Sequence, residues 1–221
     1  MNYAELSSAI QAYVENTESN FVAQIPTFVK QAEQRIYNSV QFPSLRKNMT
    51  GVTVASNKYL SAPDDFLAVY SLAVIDGTGA YEYLLNKDVN FIRQSYPSPT
   101  DVGTPRYYAL FGPTVSGSSI TNELSMILGP TPDAAYSVEL HYYYYPESIV
   151  TAGTSWLGDN FDSVLLYGSL VEAYTYMKGE ADMMGLYNQK YQEALGLAKR
   201  LGDGMERQDA YRSGQYRQKV T

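Results

Sequence analysis

The lone histidine of this 221-residue chain, His141, lies in the run Val138-Glu139-Leu140-His141-Tyr142-Tyr143-Tyr144-Tyr145. To act as a general base it would need a nucleophile within hydrogen-bond reach and a carboxylate to orient its ring. No G-x-S-x-G elbow supplies the serine. Strand-like alternation instead puts His141 on one face with Glu139 and Tyr143. Asp64 and Asp65 form an acid pair that could do acid–base work or hold a cation, but adjacent side chains diverge on an extended chain. Directly after Pro63 they fit a turn, where Asp carboxylates accept nearby backbone N–H groups. The chain has no cysteine, which removes disulfides, thiolate metal sites and cysteine nucleophiles. A single imidazole removes multi-histidine metal sites. Gly112-Pro113 and Gly129-Pro130-Thr131-Pro132-Asp133 lack the Lys-Ser/Thr ending of a phosphate loop and read as hairpin punctuation. The expectation is no catalytic residue, no metal and no cofactor: a protein that is not an enzyme.

Composition points the same way. Hydrophobic residues make up 45% of the chain, enough for a core of one large domain or two small ones, while charged residues are only 18%. Twenty-two tyrosines favour apolar surface that keeps a hydroxyl for a partner. A net charge of −7 opposes a surface that wraps nucleic acid. No apolar run approaches the ~20 residues of a membrane span, and Met1 opens a polar segment rather than a signal peptide. A soluble protein of a reducing compartment is expected.

The positioning elements follow from periodicity. Asn2 and Glu5 have capping-box spacing, and Leu6, Ile10, Tyr13, Val14 and Thr17 recur as in a helix. After a polar break, Ile25, Val29, Ala32, Ile36 and Val40 form a second stripe, with Pro26 near the first turn. Gln31, Glu33, Gln34 and Arg35 lie mostly off that stripe. The two helices are expected to form an antiparallel pair. From Phe42 the texture turns to strands, at Met49–Ala55, Lys58–Leu60, Leu67–Ile75, Tyr81–Leu85, Arg106–Phe111, Leu124–Leu128 and Tyr136–Tyr145. A short helix falls between Asn86 and Tyr96, where Val89, Ile92 and Arg93 share a side, and Val115–Asn122 reads as an exposed hairpin loop. Helical periodicity returns with Asp159 or Asn160 as cap, then Val164, Leu165, Gly168, Val171, Glu172, Thr175 and Tyr176. Gly179 interrupts it. A last helix from Glu180 carries Met184, Tyr187, Tyr191, Ala194, Leu195, Ala198 and Leu201, with Gly202 and Gly204 weakening or ending it.

The fold class expected is α+β. An antiparallel helical bundle forms from N- and C-terminal helix pairs (1–41 and 159–204), with an inserted antiparallel β-sandwich or barrel (42–158). The residues from Met205 to Thr221 form an extended C-terminal tail. That tail sets Arg207, Arg212, Arg217 and Lys219 against Glu206 and Asp209; it is net +2, which leaves −9 on the rest. With only Met205, Tyr211, Tyr216 and Val220 as apolar content it cannot bury itself, so mobility is expected. Spaced arginines interleaved with tyrosines suit an acidic groove on a partner, and order on contact. The lone Trp156, at the change from strands to helices, is a bulky hinge anchor or a surface for stacking sugars.

Read in order, the motifs are Leu60-Ser61-Ala62-Pro63-Asp64-Asp65-Phe66-Leu67, Tyr107-Tyr108-Ala109-Leu110-Phe111, Ile127-Leu128-Gly129-Pro130-Thr131-Pro132-Asp133, the Val138–Pro146 run, Thr154-Ser155-Trp156-Leu157, Leu165–Tyr174 and Tyr187–Tyr191. Their succession resembles the adaptor, or head-to-tail connector, proteins of tailed bacteriophages, nearest the tail tubular protein A type, over about Ile25 to Tyr211. The resemblance implies a structural virion protein at the head–tail interface, made in the host bacterial cytoplasm. It implies a homo-oligomeric ring, typically of twelve copies, whose channel passes double-stranded DNA without specific binding. The C-terminal arm would grip the portal protein through Met205, Arg207, Tyr211, Arg212, Tyr216, Arg217 and Lys219. The β domain would meet a tail or nozzle protein, and Tyr174, Tyr176, Tyr187 and Tyr191 would pack between subunits. The alternative is a tail-associated module that binds a glycan or host receptor through a Tyr/Trp-rich β surface.

Overall fold

The computed structural model describes residues 1–206 except 113, 117, 118 and 123. Helices α1 (Tyr3–Val14), α2 (Ser19–Val22) and α3 (Ile25–Ser39) come first, followed by a 3-10 turn at Pro43–Leu45. Strands β1 (Arg46–Val52), β2 (Tyr59–Ser61), β3 (Ala68–Ile75), β4 (Tyr81–Tyr83) and β5 (Leu85–Asn86) precede a short helix, α4 (Val89–Ser95). Then come β6 (Tyr107–Phe111), β7 (Thr114–Ser116), β8 (Ser119–Asn122), β9 (Ser125–Gly129) and β10 (Ser137–Tyr143). Helices α5 (Ile149–Ala152), α6 (Trp156–Asn160), α7 (Asp162–Met177) and α8 (Ala181–Glu206) complete the described chain. These elements divide into two compact units, Met1–Leu45 with the chain from Tyr145 onward, and Arg46–Tyr144.

In the helical unit, α1 starts on a complete capping box. The Asn2 Oδ1 accepts from the Glu5 N–H at 2.9 Å, and the Asn2 N–H donates to Glu5 Oε2 at 2.9 Å. Its buried face is Leu6 and Ile10; Tyr13, expected on that face, is exposed. The α3 stripe of Ile25, Val29, Ala32, Ile36 and Val40 is entirely buried. Helix α7 is the hub: α1, α3 and α8 all pack along it. The expected antiparallel pairing of the first two helices is therefore replaced by separate docking of α1 and α3 on α7. A helix packed from several sides must be apolar on several sides, and α7 buries Val164, Leu165, Leu166, Gly168, Ser169, Leu170 and Ala173. Thr175 and Tyr176, placed on its buried stripe by periodicity, face solvent instead. Small residues allow the close approach. A Cβ on Gly168 would stand 3.2 Å from Tyr191 of α8 and 3.3 Å from Ala32 of α3.

Three local expectations change. Asp159 and Asn160 lie inside α6, so neither caps α7, which follows Phe161 without a side-chain cap. Helices α5 and α6 stand where strand-rich sequence was expected and belong to the helical unit. Gly202 does not end α8, which runs to Glu206. A Cβ there would meet the Gln41 carbonyl oxygen at 2.8 Å, so this glycine serves close packing rather than termination.

The β unit is two four-stranded sheets, in the orders β1-β10-β3-β4 and β2-β9-β6-β5, with β7-β8 as a separate two-stranded ribbon. Leu72, Val74, Leu84, Tyr108, Met126, Leu128, Val138, Leu140 and Tyr142 form one core drawn from both sheets. Fully burying a side chain of this size is worth ~1.5–3 kcal/mol. Helix α4 covers β6 and β9, with Ile92 against Ala109 and Ile127. The β10 strand alternates as its sequence requires: Val138, Leu140 and Tyr142 are buried, while Glu139, His141 and Tyr143 share the half-exposed face.

Two details depart from a simple antiparallel reading. The expected Tyr81–Leu85 strand splits at buried Leu84, so that β4 joins one sheet while β5 joins the other and pairs parallel to β6. The Gly129-Pro130-Thr131-Pro132-Asp133 run, expected as hairpin punctuation, instead begins the link that carries the chain from β9 in one sheet to β10 in the other.

Candidate functional site

The residues best suited to chemistry are engaged structurally. His141 meets the Tyr70 ring edge-on at 5.0 Å, opposite Asn48 on β1. Asp64 and Asp65 form the expected turn, with the Phe66 N–H donating to the Pro63 carbonyl at 3.1 Å. The Asp65 carboxylate does more than serve that turn. It accepts from Lys47 Nζ at 2.8 Å and from the buried Tyr142 hydroxyl at 2.8 Å. The Lys47 hydrogen bond holds the Asp65 carboxyl below its usual range, while burial pushes the Tyr142 hydroxyl up. This triad fastens the β2–β3 connection to β10. Among the described residues, no group of three or more His, Asp or Glu side chains could hold a metal ion.

In the helical unit, Glu33 was expected mostly off the buried stripe of α3 but is only 3% exposed. Its Oε1 accepts the Ile149 N–H at 2.9 Å, at the first residue of α5. Burial dominates and raises its carboxyl, against lowering by Ile149, Ser148 and Lys30. The sequence signal was present: Glu33 stands four residues after Val29 and four before Tyr37, both buried. The Arg35–Glu172 ion pair ties α3 to α7 on the outside.

The tyrosines expected between subunits divide. Tyr191 is 1% exposed, against Gly168, and Tyr187 is buried edge-on to Tyr174, with ring centroids 4.9 Å apart. Burial, with the Tyr174 hydrogen bond second, pushes the Tyr187 hydroxyl up to about 12. These two therefore fill their own subunit's core. Tyr174 is half-buried, and Tyr176 is 50% exposed with its ring 5.3 Å from Phe28. On α8, exposed Leu186 and Leu197 were not singled out by the sequence, and Leu201, expected on the buried stripe, is 45% exposed. Their spacing brings them to one side of the helix, next to its buried face.

Met205 falls in the last turn of α8, so any arm begins after Glu206. Arg207, Tyr211, Arg212, Tyr216, Arg217 and Lys219 lie outside the described residues. Trp156 opens α6 and packs its ring against Phe42 at 5.0 Å and Phe161 at 5.6 Å. It is part of an aromatic cluster in the helical unit, not of a β surface.

The described residues thus form a helical unit interrupted in sequence by an inserted two-sheet unit. The model of the SU10 adaptor protein family matches residues 1–218. The chain belongs to this family. Its members are structural adaptor proteins of phage virions rather than enzymes. No curated protein matches the chain. Adaptors of this kind bind other virion proteins, and no described helix of this one is long and apolar enough to cross a membrane.

Proposed function

We propose that the protein joins the capsid portal to the tail as a ring of identical copies, typically twelve, around a channel for double-stranded DNA. The observation that carries this reading is the match of an adaptor family over residues 1–218. The helical unit supplies lateral contacts through the half-exposed Tyr176 and through the Leu186, Leu197 and Leu201 side of α8. Tyr187 and Tyr191 support that surface from inside. Segment 207–221, with four cationic side chains and two tyrosines, docks on the portal, and repetition around the ring multiplies a modest single contact through effective concentration. The β unit faces the tail or nozzle protein. The acidity of the rest of the chain lets DNA slide, since like charge disfavours sticking.

Negative-stain imaging of the purified chain with and without portal tests the ring. A chain truncated after Glu206 should keep its circular dichroism and melting temperature while losing portal binding. If that truncated chain is unfolded, the segment is core and the docking role is wrong.

A further inference from the structure

Strand β1 ends its sheet, and no described strand pairs with its outer edge. From Met49 to Asn57 the sequence, Met-Thr-Gly-Val-Thr-Val-Ala-Ser-Asn, carries no charge. Val52 and Val54 are 60% and 62% exposed. The register places Met49 opposite Leu140 and Gly51 opposite Val138. Both partners belong to the core, so Met49 sits on the inner face of the sheet, yet it is 49% exposed. The sandwich is open along this side. Met49, Gly51, Leu60, Pro63, Val138 and Leu140 line an apolar groove there.

Soluble proteins blunt such edges with short strands, prolines or inward-pointing charges. The far edge of the same sheet is blunted in this way. Strand β4 has three residues, and its Glu82 lies opposite core residue Val74, 3.4 Å from Arg106. Strand β1 has such a charge only at its start, where Lys47 lies opposite core residue Tyr142; from Met49 to its end at Val52 it has none.

A second unpaired element lies in the same unit. Among the described residues, the β7-β8 ribbon pairs with neither four-stranded sheet, and it falls between β6 and β9 in the chain. Its residues from Thr114 to Asn122 are likewise uncharged. A two-stranded ribbon is marginal in water and gains most from a third strand. We infer that the β7-β8 ribbon of one copy adds to the β1 edge of the next, linking the β units by strand addition. Donor and acceptor are different surfaces of one chain, so the contact is heterologous, the type that closes into rings. This inference rests on the ring reading above and names a surface that holds it together.

The chain has no cysteine, so introduced thiols report the contact alone. Full-length chains with cysteine at Thr50 or Val52 would be mixed with chains carrying it at Ser116, Ser119 or Ile120, assembled, and oxidised. A disulfide-linked dimer is expected from at least one mixture, about tenfold above either population alone. Separately, Val52→Lys should raise the concentration needed for assembly by about tenfold with circular dichroism and melting unchanged. Rings seen by imaging without any such cross-link, or a cross-link found only within one chain or only to another virion protein, would overturn the inference and leave the ring standing. If mass photometry and imaging show no assembly with or without portal, the ring reading falls and the inference with it.

Discussion

The two units use the same residue type for opposite ends. In the helical unit, Tyr187 and Tyr191 are sealed where α7 and α8 meet, the latter against a glycine. In the β unit, Tyr81 and Tyr83 stand outward on a sheet edge with rings 6.5 Å apart, and Tyr81 donates to Glu139 at 3.1 Å. The bundle closes its core around α7, whereas the sandwich stays open along β1. A count of tyrosines could not separate these uses, because an aromatic ring with one hydroxyl suits either a core or a wet interface.

Truncation should divide the two units most sharply. Leu170→Ala in α7 removes a side chain with no exposure and should cost ~2–5 kcal/mol. Tyr83→Ser on the exposed edge should stay within ~0.5 kcal/mol. Chemical denaturation of both variants measures the difference; equal losses would mean that the two units do not differ in this way.

Removal of single hydroxyls sharpens it. The Tyr142 hydroxyl donates to Asp65, so Tyr142→Phe should lose ~0.5–1.5 kcal/mol. The Tyr191 hydroxyl is buried with no hydrogen-bond partner among the described residues, so Tyr191→Phe should be neutral or stabilising. A clear loss in Tyr191→Phe would mean that its hydroxyl is satisfied after all.

The smallest effects are those of pH, and they run in opposite directions. Glu33 is held above the ordinary carboxylate value of ~4.3. The folded chain therefore binds this proton more tightly than the unfolded one, and stability falls as pH rises from about 4.3 through the folded value. Asp65 is held below ~3.9, so its contribution is present above that value and is lost as pH falls through the folded one. Melting temperature against pH should show Glu33→Gln flattening the decline toward neutral pH and Asp65→Asn flattening the decline in acid. Profiles that match the parent chain would remove both assignments.

Much of the fold was legible because local periodicity records burial directly. The α3 stripe and the alternation through β10 are satisfied by one neighbouring layer, and each was readable from spacing alone. The reading failed where an element had more than one neighbour or a residue had a distant partner. The stripe on α7 drifted because three helices pack on it. Glu33 was missed because Ile149, 116 residues away, supplies its partner. The candidate surfaces were less legible still. Segment 207–221 stood out by charge, but the open β1 edge did not, since edge and interior strands share one alternation.

By itself, the sequence determined the order of helical, β and helical segments, the poverty of catalytic groups and the capping box at Asn2, all of which depend on residues near one another in the chain. Tertiary structure alone decided that α7 is the hub, that Gly202 continues a helix instead of ending it, and that β4 and β5 part at Leu84. Each of these depends on which distant backbone comes close, and a local pattern does not encode that distance.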